Sequence, residues 1–200
     1  MQRLVLASGN AGKLREFREI LGSEGFELIA QGELGIADPE ETGLSFVENA
    51  LLKARHASEA SGLPALADDS GLCVDALGGA PGLYSARYAG EHGDHPANIA
   101  KLLRELDGRD GSQRDAFFIS VIALIRHPLD PAPLIAEGRW HGRILPAPRG
   151  SGGFGYDPAF LDPASGLSAA ELAPAEKHRD SHRGRAVAAL LSQLGAVPGG

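Results

Sequence analysis

Cysteine, long apolar runs and basic charge are the features that this sequence has least of. A single cysteine, Cys73, among 200 residues excludes an internal disulfide and any zinc or iron–sulfur site that needs several cysteines. The longest apolar run, residues 117–125, contains Ser120 and is far shorter than the roughly 20 residues of a membrane span. The residues before Ser8 are too few and too weakly charged for a signal peptide. These absences favour a cytoplasmic, reducing location and no membrane partner.

Basic residues are too few to give the protein a general affinity for polyanions. The formal net charge is −7, so a nucleic-acid-binding module is disfavoured, and a nucleotide must be met by a local basic patch or a metal ion. The 43% of hydrophobic and 22% of charged residues are typical of a globular protein. A chain of this length folds without disulfides or structural metal. Because no long linker interrupts it, we expect residues 1–200 to form a single domain, with room for two small lobes that share a sheet.

Strand and helix patterns alternate along the chain, which predicts the α/β class. Apolar or alternating runs predict strands at residues 4–7, 26–30, 66–77, 83–88, 115–127 and 133–144. Apolar residues at helical spacing predict helices at residues 11–21, 46–60 and 96–106, a short helix from Ser168, and a final helix capped by Ser181. Ser45 and Glu48 form a capping box before the second helix. Residues 146–158 are expected to be loop.

The turn after the first strand, residues 8–13, has the composition of a phosphate-binding loop. Its two glycines let the backbone approach an anion closely, and the N–H groups at the start of a helix point outward. Lys13 in the first turn opposes the helix dipole, which favours anions there. The alternative is an ordinary turn in which Asn10 caps the helix.

Carboxylates are concentrated in two short segments. Asp68 and Asp69 close an apolar run, and because adjacent residues of an extended chain face opposite ways, one carboxylate can enter a cleft while the other pairs or caps. Such a carboxylate suits a magnesium ligand or a general base for water; the alternative is a solvated turn. Glu41 is a candidate second metal ligand. Lys53 is either a phosphate contact or an exposed lysine on its helix.

Two later segments could contact a base. The loop at residues 152–157 presents Phe154 and Tyr156, and aromatic rings on a loop suit base stacking, unless the loop is anchored in a core. Residues 150–155 also match a dinucleotide-binding pattern, but no helix pattern follows them, so that site is rejected. Residues 177–185 are basic within an acidic protein, which indicates an anionic or hydrogen-bond-accepting ligand or a merely solvated basic face.

Six segments occur in this order along the chain: LASGNAGKLREF, ETGLSFVENALLKA, ADDSGL, GGAPGLYSARYAG, GGFGYDP and SHRGRA. Together they resemble the inosine triphosphate pyrophosphatase family over residues 4–194. The resemblance implies an elongated α/β fold whose long central mixed sheet joins two lobes around a cleft, in a homodimer. It also implies magnesium-dependent hydrolysis of noncanonical purine nucleoside triphosphates (ITP, dITP, XTP) to the monophosphate and pyrophosphate. This activity keeps deaminated purines out of DNA and RNA.

The resemblance also implies roles for individual residues. The triphosphate loop consists of Ser8, Gly9, Asn10, Ala11, Gly12 and Lys13, with Lys53 as a further phosphate contact. Asp69 is the implied catalytic carboxylate, which activates water and holds magnesium together with Glu41, and Ser70 lies at the edge of the substrate. The implied base pocket consists of Phe154, Gly155, Tyr156, Asp157, Lys177, Ser181, His182 and Arg183.

The implied pocket explains how ATP would be rejected. Hypoxanthine and xanthine carry a 6-keto acceptor, whereas adenine carries a 6-amino donor. Donors such as Arg183 and His182 would therefore be satisfied by hypoxanthine or xanthine and left unpaired by adenine. Each buried group left unpaired costs about 1–3 kcal/mol. Guanine shares the 6-keto group, and the sequence does not indicate what reads its 2-amino group.

Two other functions share part of this pattern. A nucleotide sensor without turnover would need a damaged carboxylate set, yet Glu41, Asp68 and Asp69 are all present. A Maf-like pyrophosphatase acting on pyrimidine nucleotides would lack the GGFGYDP and SHR segments. Three points stay open from the sequence: which of Asp68 and Asp69 takes the proton, the order of preference among ITP, dITP and XTP, and the metal used in cells.

Overall fold

The strands and helices succeed one another largely as the sequence patterns predict. The computed structural model describes residues 2–22 and 25–196. Its strands are β1 (Gln2–Ala7), β2 (Phe26–Ala30), β3 (Ala65–Val74), β4 (Asp115–Ile125), β5 (Leu134–Ile144) and β6 (Phe160–Leu161). Its α-helices are α1 (Ala11–Gly22), α2 (Phe46–Ser61), α3 (His95–Glu105), α4 (Pro174–Asp180) and α5 (His182–Ala196). Short 3₁₀ helices occupy Gln31–Leu34, Asp75–Leu77, Gly82–Arg87, Gly111–Arg114 and Asp157–Ala159.

The strands form a mixed sheet of six strands in the order β2-β1-β3-β4-β5-β6. β1 runs parallel to both β2 and β3, and β6 runs antiparallel to β5. Helices α1 and α2 connect the parallel strands, which is the connection that parallel pairing requires. The predicted α/β class and its mixed central sheet are therefore confirmed.

The described residues divide into two compact units, and the division falls inside β3, β4 and β5. The first unit lies within Met1–Asp69, Ser120–Gly138 and Arg183–Gly200, and the second within Ser70–Ile119 and Arg139–His182. Each unit has its own apolar core. The first core includes Leu6, Phe17, Leu66, Ile122 and Val187, and the second includes Leu72, Leu102, Phe118, Trp140 and Phe160.

The start of α2 shows the predicted capping box. The Ser45 hydroxyl accepts a hydrogen bond from the backbone N–H of Glu48, and the Glu48 carboxylate accepts one from the backbone N–H of Leu44 at 2.9 Å. These contacts satisfy donors that a helix start otherwise leaves unpaired. The cap therefore fixes where α2 begins, and α2 carries Asn49 and Lys53 toward the carboxylates of β3.

Two predicted elements are wrong. Residues 83–88 are not extended: they lie in the 3₁₀ helix Gly82–Arg87 and the turn that follows it. The Ser85 hydroxyl donates to the Gly82 carbonyl and ties this helix together. No helix begins at Ser168, which instead forms an isolated antiparallel bridge with Leu161 and donates its hydroxyl to the Arg149 carbonyl. The helix of this region begins only at Pro174, a residue suited to a first helical position.

Three further predictions concern the end of β3, the loop before β6 and Cys73. The predicted strand at residues 66–77 ends at Val74 and continues as a 3₁₀ turn. The predicted loop at residues 146–158 is present up to Tyr156, and no α-helix follows it directly, in agreement with the rejection of a dinucleotide site. Cys73 is a buried free thiol, as expected. Among the described residues, no helix is long and apolar enough to cross a membrane.

Candidate active site

The loop between β1 and α1 is ordered by its own side chains. Asn10 Oδ1 accepts hydrogen bonds from the backbone N–H groups of Gly12 at 2.9 Å and Lys13 at 3.1 Å. Ser8 Oγ accepts one from the backbone N–H of Asn10 at 3.2 Å. Asn10 thus caps α1, as in the alternative of an ordinary turn, and phosphate binding by this loop stays a prediction. Capping fixes the direction of α1, which places Lys13 in its first turn.

Gly9 is a position where a side chain would require the Asp38 carboxylate to move. A Cβ atom added there would lie 2.7 Å from Asp38 Oδ2, while Asp38 Oδ1 accepts a hydrogen bond from the Gln31 amide. The Asp38 side chain thus lies next to the Gly9 backbone. Ala11, the first residue of α1, is exposed.

Asp68 is a buried carboxylate with several cationic partners. It is 1% exposed, and its Oδ2 lies 2.8 Å from Lys13 Nζ and 3.4 Å from Arg183 Nη2. Its Oδ1 accepts a hydrogen bond from Ser120 Oγ. Burial alone would raise the pKa of Asp68, but the charges of Lys13 and Arg183 outweigh burial and hold that pKa far below its usual range. Asp68 is therefore a firmly ionised structural anion and a weak base.

Asp69 has a separate set of partners, as expected for adjacent residues of an extended strand. Its Oδ1 accepts a hydrogen bond from Lys53 Nζ at 2.7 Å, and its Oδ2 accepts one from the Asn49 amide at 3.4 Å. Burial is the largest influence on Asp69 and raises its pKa despite the nearby charges of Lys53 and Lys13. A raised pKa makes this carboxylate the more basic of the two.

Lys53 links the two carboxylates that the sequence nominates for metal binding. Its Nζ donates to Asp69 Oδ1 at 2.7 Å, to Glu41 Oε1 at 3.0 Å and to the Asp68 carbonyl at 3.0 Å. Burial lowers the pKa of Lys53, but the charges of Asp69 and Glu41 outweigh burial and raise it. The expectation of an exposed helical lysine is thus wrong, since Lys53 is 7% exposed.

The donor set at this point suits magnesium. Glu41 and Asp69 both pair with the Lys53 ammonium, so the two carboxylates lie close together. Within residues 2–22 and 25–196, no group of three or more His, Cys, Asp or Glu side chains forms a metal cluster. Magnesium does not require one, because it commonly binds one or two carboxylates together with substrate phosphates and water.

Arg183 lies in the first unit beside these residues. Its guanidinium pairs with Glu16 and Asp68, and lies 5.9 Å from the centre of the Phe17 ring. Burial lowers the pKa of Arg183, but both carboxylates outweigh it, so the side chain stays charged although it is 3% exposed. Arg183 is thus part of a buried charge cluster.

The second unit contains most of the predicted base pocket. Asp157 Oδ2 accepts hydrogen bonds from Lys177 Nζ and from the backbone N–H of Phe154, both at 2.7 Å. The Lys177 ammonium lies 5.0 Å from the centre of the half-buried Phe154 ring. Gly155 has φ +62°, a backbone conformation that glycine adopts without strain. These contacts hold one aromatic ring of the loop in place.

The two loop aromatics differ in their surroundings. Tyr156 is 4% exposed, belongs to the core of the second unit and donates its hydroxyl to the Ser85 carbonyl at 2.9 Å. The core-anchored alternative is therefore correct for Tyr156. Phe154 retains partial exposure and is the better candidate for stacking.

The remaining predicted residues also lie in the second unit. The His182 ring stacks on the Phe118 ring at 4.8 Å between centres and 15° between planes. Ser181 is buried, and its N–H donates to the Lys177 carbonyl at 2.9 Å. Ser70 follows Asp69 on β3 and is half-buried. The basic stretch 177–185 is thus divided, since Lys177, His182 and Arg183 are buried whereas Arg179 and Arg185 are exposed.

Sequence reasoning missed several residues that lie next to predicted site residues. They are Glu16, Asp38, Asn49, Phe118 and Ser120. Two of them carried a signal: Ser120 interrupts an apolar run, and Asn49 lies on the buried face of α2. Glu16 gave none, because a charged residue in an amphipathic helix is normally solvated.

Comparison with known proteins assigns the chain to a family. The Ham1 family model matches residues 4–193. A dITP/XTP pyrophosphatase of Xanthomonas campestris pv. campestris (strain 8004) is 62% identical over 197 residues, which cover 98% of this chain and 99% of that protein. One of Methylococcus capsulatus is 58% identical over 199 residues, covering 100% and 99%.

Solved structures agree. A HAM1 protein from Coxiella burnetii matches with 50% identity and a TM-score of 0.90, covering 98% of this chain and 100% of that one. A nucleoside-triphosphatase / dITP/XTP pyrophosphatase from Mycobacterium abscessus matches with 45% identity and a TM-score of 0.76, covering 96% and 100%. Because both the family model and these relatives extend over nearly the whole chain, the protein belongs to the Ham1 family, and the resemblance seen in its sequence segments is confirmed.

Proposed function

We propose that this protein hydrolyses noncanonical purine nucleoside triphosphates (dITP, XTP and ITP) to the nucleoside monophosphate and pyrophosphate, and so clears them from the nucleotide pool. The observation that carries the proposal is the pairing of two adjacent carboxylates, Asp68 and Asp69, with Lys13 and Lys53. Relatives that share most of the chain are named for this activity.

Asp69 is the general base in this proposal. Water attacks the α-phosphorus, the bond from that phosphorus to the bridging oxygen breaks, and the water proton passes to the carboxylate. Asp69 suits the role because its pKa is raised by burial, whereas the pKa of Asp68 is held low by Lys13 and Arg183. The choice between the two carboxylates, open from the sequence, falls on Asp69.

The cations of the first unit neutralise the triphosphate. Lys13 stands in the first turn of α1, whose loop also offers the backbone of Gly9 and Gly12 for close approach to phosphate oxygens. The Lys13 side chain is 15% exposed, so its charge is only partly screened by water. Lys53 acts mainly through Asp69 and Glu41, because its three hydrogen bonds already go to protein oxygens.

Glu41 and Asp69 are the residues that would hold magnesium. The bound ion would supply neutralisation of the charge that builds on the departing pyrophosphate. The chain itself contributes two carboxylates, and Lys53 holds them close together.

The purine is assigned to residues of the second unit. Phe154 offers a ring face for stacking, and Lys177 and His182 offer hydrogen-bond donors. Donors to a 6-keto oxygen would favour hypoxanthine and xanthine over adenine, since adenine would leave them facing another donor. The second unit also holds Asp157, which fixes Lys177.

We place the enzyme in the cytoplasm, which the shortage of cysteine supports. We also propose that it is a homodimer, as the family resemblance implies. Sedimentation of the purified protein at several concentrations tests the dimer. A single species of monomer mass at all concentrations would remove that part of the proposal.

The test of the reaction is pyrophosphate release from dITP, XTP, ITP, GTP, ATP and the pyrimidine nucleotide UTP in parallel, with magnesium and with excess chelator. We expect magnesium-dependent release from the first three, with ATP nearly untouched. Binding of dITP without release would favour the sensor, and release from pyrimidine nucleotides would favour the Maf-like alternative.

A further inference from the structure

Ser120 is a buried hydroxyl in the middle of an apolar strand. It stands within β4, has 0% of its surface exposed, and is flanked by the buried residues Ile119 and Val121. Burying a hydroxyl costs free energy unless it is hydrogen-bonded. An apolar residue here would avoid that cost, so the serine calls for an explanation.

The partner of this hydroxyl is Asp68. Ser120 Oγ donates to Asp68 Oδ1 at 2.5 Å, across 52 residues of sequence. The other oxygen of the same carboxylate, Oδ2, is the one that faces Lys13 at 2.8 Å and Arg183 at 3.4 Å. The two oxygens of Asp68 are therefore used differently.

Rotation of the carboxylate would disturb this division. The last torsion of an aspartate side chain is broad, so the backbone and rotamer alone do not fix where its two oxygens point. A hydrogen bond to Oδ1 fixes that torsion, and with it the direction of Oδ2. The Lys13 ammonium also lies 3.4 Å from the Asp68 carbonyl, so its place depends on this one residue twice.

We propose that Ser120 is a positioning residue: by holding Oδ1 of Asp68 it directs Oδ2 toward Lys13 and Arg183, and so sets where the Lys13 ammonium meets the triphosphate. The inference rests on the proposed function, because that function gives Lys13 its phosphate. Ser120 acts through Asp68, and its loss should therefore weaken substrate binding more than the chemical step.

The test is Ser120→Ala, with Ser58→Ala as a matched control. Ser58 is also 0% exposed in the first unit, and its hydroxyl donates to the Leu63 carbonyl at 2.7 Å, away from the carboxylates. Both substitutions remove one buried hydroxyl. We expect Ser120→Ala to raise the KM for dITP about tenfold with kcat within about twofold, and Ser58→Ala to leave both constants unchanged while lowering Tm.

Two further variants protect the test against a folding defect. Ser120→Thr keeps the hydroxyl, and we expect its KM to return to within about threefold of the wild-type value. Ser120→Cys keeps the volume but donates weakly, so its KM should fall between those of Ser120→Ala and the wild type. If the alanine variant does not fold, the same claim is tested by the other two variants, because it predicts a lower KM for Ser120→Thr than for Ser120→Cys.

Several results would overturn the positioning role. One is an unchanged KM in folded Ser120→Ala; another is an equal change in Ser58→Ala, which would indicate a general effect of stability. If the wild type itself releases no pyrophosphate from dITP, the proposed function fails separately. In that case the Kd of dITP is measured without magnesium. Weaker binding by Ser120→Ala than by the wild type would retain the positioning role. Equal binding by the two proteins, or no binding by the wild type, would end it.

Discussion

The ammonium group of Lys53 lies 2.7 Å from Asp69 Oδ1 and is buried with it, each side chain being 9% exposed. The same ammonium lies 3.0 Å from Glu41 Oε1. Lys53 on α2 thus pairs with both carboxylates assigned to magnesium. Its position along the chain is well defined because Ser45 and Glu48 determine where α2 begins.

Lys53→Met should cost the protein both stability and turnover. Removing one partner of a buried ion pair leaves the other charge uncompensated, which typically costs about 3–5 kcal/mol. We expect a clear fall in Tm and no measurable pyrophosphate release. Lys101→Met is the control, since that lysine donates to a backbone carbonyl in the second unit, and we expect it to leave turnover unchanged. Equal turnover in the two variants would contradict the role assigned to Lys53.

Asp69→Asn should abolish turnover while nucleotide still binds. Asparagine keeps the shape of the side chain but takes no proton, so the base is lost and the loop at residues 8–13 is retained. We expect kcat to fall at least about a thousandfold and the Kd of dITP to change by less than about tenfold. Full activity of the variant would end the assignment of Asp69 as the base.

Arg183→Ala should raise the KM for ITP and narrow the preference for ITP over ATP. It should also lower stability, because Glu16 and Asp68 lose a buried cationic partner. Parallel kinetics with ITP and ATP measure the first effect and thermal denaturation the second. Arg179→Ala is the control, as its side chain is 72% exposed; an unchanged ITP/ATP ratio in Arg183→Ala would move base reading to other residues.

Cys73 gives the stability of the protein a dependence on alkaline pH. Burial raises the pKa of the Cys73 thiol to about 11, whereas a thiol in the unfolded chain ionises near pH ~8.5. Between these values the unfolded chain loses a proton that the folded protein keeps, so the free energy of unfolding falls as pH rises. Below pH ~8.5 this contribution is constant.

Cys73→Ala isolates that dependence. We expect denaturant titrations from pH 7 to 10.5 to show a smaller loss of stability in the variant than in the wild type. The native thiol should also react slowly with iodoacetamide at pH 8, because little thiolate is present. Rapid alkylation of the folded protein would mean that the thiol is accessible and ionised.

Local chemistry made part of this molecule predictable from its sequence. The capping box at Ser45, the Asn10 cap and the opposed directions of Asp68 and Asp69 each depend on residues a few positions apart. The strand from Phe26 to Ala30 has the predicted ends because its apolar run is bounded clearly on both sides. Patterns among residues that are close in sequence can be recognised without knowledge of the fold.

Contacts between distant residues were not predictable in the same way. Ser120 meets Asp68 across 52 residues, and Arg183 meets Glu16 across 167. Each depends on strand order and on where α1 and α5 pack, which no local pattern specifies. The error at residues 83–88 has a related cause, since the Ser85 hydroxyl that ties that turn also accepts from Leu72 on β3.

The most direct measurement of the central claim is the position of solvent oxygen after hydrolysis. The protein would hydrolyse dITP with magnesium in water enriched in ¹⁸O, and mass spectrometry would measure the ¹⁸O content of both products. We expect the label in dIMP, because water activated by Asp69 attacks the α-phosphorus and pyrophosphate leaves unlabelled. Label in pyrophosphate, or release of labelled orthophosphate, would show attack at another phosphorus and contradict the mechanism.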